Sequence, residues 1–404
     1  MATSPHRYIG LDVHKEYLVA AAVDKRQNLL MSPQRVNYTD LTGWITRELQ
    51  PTDTVVLEAC SNAWTIHDQL EPHVGRVTVA HAAHVKLIVN SLIKTDKRDA
   101  LALARLLAAD LIPPVWVPPD HVRELRALVH HRRKLVEQRS ATKSQLRALL
   151  SRHHIFPPMD YVDVQKHRVW WDSVPLSEAD LFIAHQLLAL LDHLAGALQD
   201  LERQLAQLSV SDQWCAQVAS VLQVPGIAML SAMTILATIG DITRFPTAKK
   251  LVGYSGLSPR VYSSGQKNYS GRITKAGRKE LRTALIEAAW TAVQHDPFWG
   301  RRFEELAERR GRGRTIVAIA RKMLVVVWHL LTHGEADHFA DPNAVARRFM
   351  RWGAYFGVAA SLGLQRTAFV RRELDRLGIG QSIESLPYSG RLNRLPAPGS
   401  VPVP

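Results

Sequence analysis

Five apolar segments within the first 111 residues have the composition of β-strands, and they set the fold class. They read YIGLDV, YLVAAAVD, LLMSPQRV, TVVLEA and RVTVAHA. The first three follow one another closely, as hairpins do, whereas the last two alternate with the helical patterns DLTGWITREL and AWTIHDQL. This order predicts a mixed α/β domain over residues 1–111, with helices on the faces of its sheet.

Four acids fall at unusual places in this domain. Asp12 in GLDVHK and Glu58 in VVLEAC each interrupt an apolar strand, where a carboxylate is costly to bury unless it is paired or binds a metal. The ordinary alternative is an acid at the wet end of a strand. If the two strands are neighbours in register, these carboxylates lie roughly 5 Å apart. The motif KTDKRDA adds Asp96 and Asp99, which a helix places on one face about 5–6 Å apart.

The acids of KTDKRDA also have a purely local explanation. Acids suit the first turn of a helix, where they meet the positive end of the macrodipole, and Thr95 can cap that turn. The alternative is a metal site, because carboxylate clusters select Mg²⁺ or Mn²⁺ over zinc. Two such ions about 3.5–4 Å apart can bind the attacking and leaving oxygens of a phosphodiester. Lys94, Lys97 and Arg98 would then offset repulsion between the acids and contact phosphate.

The net charge of the chain predicts a polyanionic partner. It is formally +14, and residues 1–111 contain 12 basic and 12 acidic residues, so the whole excess lies downstream. A basic surface favours nucleic acid through counterion release, whereas a membrane surface would normally require an amphipathic anchor, which we do not find. Nucleic acid is therefore the expected partner, and no membrane is.

Three further observations predict a soluble cytoplasmic protein. No apolar segment precedes the first strand, so no signal peptide is expected. The longest apolar stretch, residues 316–331, contains Arg321 and Lys322, which argues against a membrane span. Two cysteines, Cys60 and Cys215, are too few for a disulfide framework or a cysteine zinc site and agree with a reducing compartment. The 18 histidines show no zinc-binding spacing.

Residues 112–210 are predicted to form a helical region behind a stiff boundary, the segment IPPVWVPPD with four prolines in nine positions. The helix predicted at residues 121–154 is strongly basic. A second helix, which starts with a capping pattern at Ser177, places leucines at alternating steps of four and three, the seam of a coiled coil. The seam leucines are Leu187, Leu191, Leu194, Leu198, Leu201, Leu205 and Leu208.

The leucine seam needs a partner, and two partners are open. One is the basic helix folding back, and the other is the same helix in another subunit. The regularity of the seam favours a homo-oligomer, a dimer or tetramer held by the coiled coil.

Residues 211–340 are predicted to form a second, mostly helical domain. QVPGIAMLSAMTILATIGDITRF resembles a helix-hairpin-helix element, in which a Gly turn opening a helix can bind phosphate; an ordinary turn between helices is the alternative. A loop rich in Gly, Ser and Lys follows, and then a helix from about Glu280. Residues 341–404 form an extension without an assigned role, and its Pro-rich end is predicted to be disordered.

The acidic motifs carry a resemblance to a known family. In this order, GLDVHK, VVLEA and KTDKRDALALARLL resemble the N-terminal RuvC-like domain, of RNase H fold, of the DEDD-type transposases of bacterial insertion sequences, the bridge-RNA-guided recombinases. The resemblance implies that Asp12, Glu58, Asp96 and Asp99 form the metal-binding tetrad. One departure is that the chain reads EACSNAW where the family usually has Thr-Gly and an aromatic after the glutamate.

The stretch LVGYSGLSPRVYSSGQKNYSGRITKAGRKELRTAL resembles the C-terminal transposase domain of the same family. The resemblance implies that Ser264, which precedes Gly265, is the nucleophile, although a serine in such a loop more often serves a turn. Ser263 and Ser270 are neighbouring candidates. The cations expected to contact nucleic acid, besides those flanking the acids, are Arg126, Arg132, Arg133, Lys134, Arg139, Arg260, Lys267, Arg272, Lys275 and Arg278.

The sequence therefore predicts a transposase that cuts and rejoins DNA through a divalent-metal site and a covalent phosphoserine link. The resemblance further implies a noncoding guide RNA. The chain has no Walker-type loop, which fits resealing without ATP. Two other classes stay open: a metal-dependent nuclease of the Holliday-junction-resolving kind, in which Ser264 is a bystander, and a non-catalytic basic nucleic-acid-binding protein.

Overall fold

The computed structural model describes residues 6–88, 95–157, 167–264, 267–337 and 339–403, and the chain divides into two compact units, Met1–Pro119 and Asp120–Pro404. The division falls within the proline-rich segment, most of which belongs to the first unit. There the Val115 N–H donates to the Val79 carbonyl at 2.7 Å, and the His81 N–H donates to the Pro113 carbonyl at 3.0 Å. The segment therefore lies along an outer strand of the sheet instead of acting as a free linker.

The first unit is a mixed α/β domain, as its sequence predicts. Its strands are β1 (Tyr8–Val13), β2 (Tyr17–Val23), β3 (Leu29–Asn37), β4 (Thr54–Glu58) and β5 (Arg76–Ala80), and its helices are α1 (Leu41–Glu48), α2 (Ala63–Leu70), α3 (Ala82–Ile88) and α4 (Asp96–Ala108). The sheet order is β3-β2-β1-β4-β5. The three hairpin-linked strands are antiparallel, and β1, β4 and β5 run parallel.

The two faces of this sheet differ in how closely their helices approach. On one face, Ile9 and Leu11 pack into a core with Trp44 of α1 and Ile66 of α2. On the other face α4 crosses β1 at Gly10, where an added Cβ would lie 2.1 Å from the Ala100 carbonyl oxygen. Glycine is therefore required at this position for the backbone of α4 to lie against the strand.

The second unit begins with two long helices that pack against each other, α5 (Asp120–Arg152) and α7 (Glu178–Leu208), with the short α6 (Arg168–Asp172) between them in sequence. Leu135 of α5 packs with Leu194, Leu198 and Leu201 of α7. Of the two partners left open for the leucine seam, the structure shows the basic helix of the same chain. The seam is covered within one chain, so an oligomer needs another surface.

The rest of the second unit is mostly helical, which confirms the predicted class. Its elements are α8 (Cys215–Val221), α9 (Met229–Ile239), α10 (Ala248–Ser255), β6 (Pro259–Ser264), β7 (Lys267–Ile273), α11 (Lys279–His295), α12 (Pro297–Arg310), α13 (Arg312–His333), α14 (Pro342–Ala354), α15 (Val358–Ser361), α16 (Arg366–Arg376), β8 (Ser385–Tyr388) and β9 (Arg391–Arg394). The strands form two separate hairpins.

The C-terminal residues differ from the expected disorder. Leu386 and Leu395 are buried. The fully buried Arg371 of α16 donates hydrogen bonds to the carbonyls of Gly380 (3.1 Å) and Pro396 (2.9 Å). A guanidinium group can satisfy several carbonyls at once because its donors are arranged in a fixed fork. The composition of the end is rich in proline, but this buried cation holds its backbone to α16.

Two helices, α7 and α13, are long and apolar enough to cross a bilayer by length and composition alone. In the structure α7 packs against α5, and α13 contributes Ile319, Met323 and Val327 to the buried core. The cations Arg321 and Lys322 stand exposed in the middle of α13. Both helices thus have packing roles inside the second unit.

The close crossing at Gly10 predicts a large cost for a single methyl group. Gly10→Ala should destabilise the protein by about 1–3 kcal/mol, because the backbone of α4 must move to relieve the overlap. The measurement is urea unfolding followed by circular dichroism. The control is Gly43→Ala in α1, where an added Cβ meets nothing within 4 Å, and which should be stabilising by about 0.5–1 kcal/mol. Equal stability of the two variants would contradict this account of the α4 contact.

Candidate active site

Asp12 and Glu58 lie at the carboxyl ends of adjacent parallel strands. The pairing of β1 with β4 places Leu11 opposite Leu57, so the two acids follow at the same level. Alternation along each strand puts both acids on the face of the sheet that packs against α4, since they come two residues after Gly10 and Val56. Both carboxyl groups therefore lie on the side of the sheet where α4 begins.

The first turn of α4 supplies the other two acids. Thr95 caps the helix by accepting a hydrogen bond from the Arg98 N–H, and Asp96 and Asp99 occupy the turn that follows. The local explanation for KTDKRDA is thus correct for the capping residue. It does not exclude the other explanation, because Asp96 also takes part in a cluster with residues of the sheet.

The cluster consists of Asp12, Asp96 and a histidine, His14. The imidazole Nε2 of His14 lies 3.1 Å from Oδ2 of Asp12 and 3.3 Å from Oδ2 of Asp96. The hydroxyl of Tyr17 donates a hydrogen bond to Asp96 at 3.0 Å. One donor atom from each of Asp12, His14 and Asp96 lies within 4.8 Å of the others, close enough to share one cation.

Glu58 and Asp99 lie around this cluster, but their donor atoms are not within its 4.8 Å group in the described structure. Asp99 is near enough for its charge to raise the pKa of Asp12. Burial raises the pKa of Cys60, and the charges of Glu58 and Asp12 raise it further. The structure therefore brings two of the four predicted acids into direct proximity and sets the other two beside them.

The environment of Asp12 disfavours its negative charge. Burial raises the pKa of Asp12, His14 lowers it, and the charges of Asp99 and Asp96 raise it. The hydrogen bond to Asp96 is also the main cause of the raised pKa of Tyr17. A bound cation offsets the repulsion between such closely spaced carboxylates. The donor set fits a divalent ion, since carboxylate oxygens suit Mg²⁺ and Mn²⁺ and the imidazole nitrogen adds a ligand for a softer metal.

His14 is the site residue that sequence reasoning missed. The signal was present, because His14 follows Asp12 by two positions in GLDVHK and therefore faces the same side of the strand. Its position, however, matches no zinc-binding spacing. A spacing rule for zinc says nothing about a histidine that joins carboxylates from two separate elements.

The cations predicted to contact nucleic acid divide into engaged and exposed groups. Arg126 donates to the carbonyls of Ala237 (2.8 Å) and Thr238 (3.2 Å) at the C-terminus of α9, and burial lowers its pKa to about 10. Arg132 binds Glu202 at 2.7 Å. These contacts give both arginines a structural role inside the second unit.

Arg133 is also engaged, with Glu137 at 3.1 Å and Glu280 at 3.5 Å. For the exposed cations, contact with nucleic acid stays a prediction. Arg139 is partly exposed, and the exposed members are Lys97, Arg98, Lys134, Arg260, Arg272, Lys275 and Arg278. Arg278 also donates a hydrogen bond to the Tyr254 hydroxyl at 3.1 Å. Lys94 lies outside the described residues, and the side chain of Lys267 is not among those described.

Ser264 lies on the hairpin formed by β6 and β7. Its backbone pairs with Lys267 at the end of the hairpin, and Ser263 pairs with Asn268 one step back. The turn residues 265–266 and the side chains of residues 263–270 fall outside the described part of the chain. The prediction that Ser264 is the nucleophile therefore stays a prediction.

Comparison with known proteins gives the class first: the chain is similar to transposases. Residues 9–155 match the model of DEDD-type IS110 transposases, and residues 218–304 match the model described as transposase IS116/IS110/IS902 family. The two matches lie in both units and together cover more than half of the chain. The chain belongs to the IS110/IS116 family of insertion-sequence transposases.

Individual relatives agree with this assignment. A transposase for insertion sequence element IS1111A of Coxiella burnetii is 26% identical over 347 residues, covering 81% of this chain and 90% of the relative. A pilin gene-inverting protein of Moraxella bovis is 28% identical over 342 residues, covering 80% and 95%. A putative transposase of Sinorhizobium fredii is 30% identical over 256 residues, covering 63% and 62%. Membership of this family makes the chain a DNA-transposing enzyme.

The raised pKa of Asp12 predicts a pH-dependent gain of stability when its charge is removed. A carboxyl group whose pKa is higher in the folded than in the unfolded state destabilises the protein once both states are ionised. In EDTA at pH 7, Asp12→Asn should therefore raise the melting temperature, and the gain should shrink as the pH falls towards 4. Thermal unfolding over this range measures it. A gain that grows on acidification would contradict the assigned environment.

Added divalent metal should reverse this order of stability. Mg²⁺ or Mn²⁺ is expected to raise the melting temperature of the wild type, because a ligand of the native state stabilises it. Asp12→Asn and Asp96→Asn should lose most of that increase. Glu71→Gln is the matched control, because Glu71 belongs to a second group of possible ligands in the same unit, with His67 and Asp68. Loss of the increase in Glu71→Gln alone would place the metal there.

Proposed function

We propose that the chain cuts and rejoins DNA strands at a divalent-metal site formed by Asp12, Glu58, Asp96 and Asp99. The observation that carries this proposal is the meeting of the Asp12 and Asp96 carboxylates where β1 ends and α4 begins. The strand order, with three antiparallel strands followed by two parallel ones, supports a RuvC-like domain of RNase H fold. Because the substrate of such an enzyme is the DNA of an insertion sequence, the proposal places the protein in the cytoplasm, in soluble form.

A bound Mg²⁺ or Mn²⁺ ion would polarise the scissile phosphodiester and stabilise the charge that develops on its oxygens. The residues of the chain orient the ligands for that role. His14 contacts Asp12 and Asp96 together, and Tyr17 donates to Asp96, so the two carboxylates keep a fixed separation. Groups of this kind around a metal site orient its ligands.

Ser264 is the proposed nucleophile. Its hydroxyl oxygen forms a bond to phosphorus, its proton is taken up by a base or by water, and a DNA oxygen leaves as a strand-end hydroxyl. The phosphoserine link conserves the energy of the phosphodiester, so that attack by another strand end can reseal the DNA. The place of Ser264 on a hairpin whose two strands expose Arg260 and Arg272 supports this role.

Guidance by a noncoding RNA and assembly of subunits complete the proposal. The exposed cations Lys134 and Arg147 on α5 offer a surface that would contact RNA by shape and charge. Because the leucine seam is covered by α5, a dimer or tetramer would use the outer side of α7. Phe182 is 65% exposed and Leu190 is 44% exposed there, which supports this surface.

The chemistry is tested by mixing the protein with labelled DNA of the element ends and separating the products in sodium dodecyl sulfate gels. A slow-migrating covalent band is expected in the wild type. Ser264→Ala should lose the band, whereas the controls Ser263→Ala and Ser270→Ala should retain it. Asp96→Asn should lose both the band and cleavage.

The rival functions give other results in the same assay. Cleavage that survives Ser264→Ala without any covalent band would favour a metal-dependent junction nuclease. Binding without Mg²⁺-dependent cleavage on any element-end or junction substrate would favour a non-catalytic nucleic-acid-binding protein. Either result would overturn the phosphoserine mechanism.

A further inference from the structure

A cavity of about 530 Å³ lies beside the Pro225–Gly226 turn, in the second unit. Its apolar wall includes Leu222, Ile227 and Met229, all of which are nearly inaccessible to solvent. The volume falls within the range of roughly 300–1,000 Å³ that small-molecule sites occupy. Neither the acidic cluster nor the serine hairpin uses this space.

One side of the cavity is made by α14, which lies beyond both family-model matches. This helix contributes three guanidinium groups, those of Arg347, Arg348 and Arg351. Arg348 is fixed, since its Nε and Nη2 donate to the carbonyls of Leu222 and Gln223, both at 2.7 Å. Burial lowers the pKa of Arg348 to about 10, so it stays charged at neutral pH.

Arg347 and Arg351 remain accessible at the rim. The side chain of Arg347 is 41% exposed, and Arg351 is exposed as a whole residue. Two acids lie nearby: Oδ2 of Asp341 is 3.7 Å from Nη2 of Arg347, and the charge of Asp296 acts on Arg348. Each of these acids caps a helix: Asp296 accepts from the Phe298 and Trp299 N–H groups at 3.1 Å, and Asp341 accepts from the Asn343 N–H at 3.0 Å.

Each carboxylate is thus engaged at a helix N-terminus, Asp341 also pairs with Arg347, and three guanidinium groups stand against these two acids. The cavity combines a cationic rim with an apolar interior. A ligand complementary to both parts has an anionic group joined to a compact apolar body. A nucleotide has this composition, with a phosphate and a planar base, and a single phosphate would leave most of the volume unfilled.

We propose that this cavity binds one unpaired nucleotide of the nucleic acid on which the enzyme acts, with its phosphate on Arg347 and Arg351 and its base against the wall formed by the Pro225–Gly226 turn. The inference rests on the proposed function only in taking DNA as the bound strand. Enzymes that do chemistry on a nucleobase extrude it into a pocket that reads it by stacking and hydrogen bonds, which shows that an unpaired nucleotide can be held in this way.

Gly226 explains why the pocket wall is rigid. It has a φ of +81°, and an added Cβ would lie 2.1 Å from the Ala288 carbonyl oxygen of α11. The turn is therefore packed directly on α11, and the residues just before it, Leu222 and Gln223, are held by Arg348 of α14. A wall held from two sides keeps the cavity open without a ligand.

The test compares the binding of two duplexes, one fully paired and one with a single unpaired 2-aminopurine, by fluorescence anisotropy with the full chain. Ala344→Phe fills the cavity, which Ala344 lines, but leaves all three arginines in place. It should weaken binding of the bulged duplex about tenfold, the order of one base contact, and leave the paired duplex unchanged. The change in 2-aminopurine emission on binding should disappear.

The double variant Arg347→Ala/Arg351→Ala should also lose more affinity for the bulged duplex than for the paired one. Its matched control is Arg309→Ala/Arg310→Ala, which removes two exposed arginines at the end of α12. That control should change the affinity for both duplexes by the same factor. Thermal unfolding checks that each variant is folded. If Ala344→Phe does not fold, Thr291→Trp at the rim of the cavity takes its place.

Equal losses for the two duplexes, no loss in any cavity variant, or a wild type that binds neither duplex would overturn the inference. Strong competition by free deoxyadenosine monophosphate would assign the cavity to a free nucleotide instead. The result is independent of the cleavage assay. Selective binding of the bulged duplex without cleavage would contradict the proposed function alone. Cleavage without selective binding of the bulged duplex would contradict this inference alone.

Discussion

The contact between Gly10 and the backbone of α4 is the constraint on which the first unit depends. Because Gly10 of β1 has no Cβ, α4 lies directly on the strand, and its first turn lies beside the carboxyl end of the strand. Residues far apart in sequence, Asp12 and Asp96, are brought together as a result. A larger side chain would hold the helix farther from the sheet and separate them. The packing at Gly10 therefore sets the distance between the two acids.

The same contact creates an electrostatic cost that the fold retains. Acids from a strand and a helix share a partly buried space, and His14 and Tyr17 only partly offset their repulsion. Natural proteins commonly keep such unfavourable arrangements where function needs them. The cluster is best understood as a site whose stability is completed by a ligand.

Local patterns in the sequence were sufficient for much of this. Alternating and apolar segments predict the strands of the first unit, Thr95 predicts the start of α4, and the leucine spacing predicts the buried face of α7. Contacts between distant elements were not accessible in the same way. That α5 covers the seam, that His14 joins two acids, and that Arg371 orders the proline-rich end each depend on which elements meet in space. Periodicity describes the face of one element and does not name the element it meets.

The proline-rich segment beside β5 has a consequence for the behaviour of the chain before it is fully assembled. β5 is an outer strand, and an open outer strand is a template on which another chain can add. Here a stretch containing Pro113 and Pro114 occupies that position, and proline has no N–H to offer to the next strand. The sheet therefore ends on this side in a segment that cannot propagate it, which protects the nascent domain from edge-to-edge aggregation.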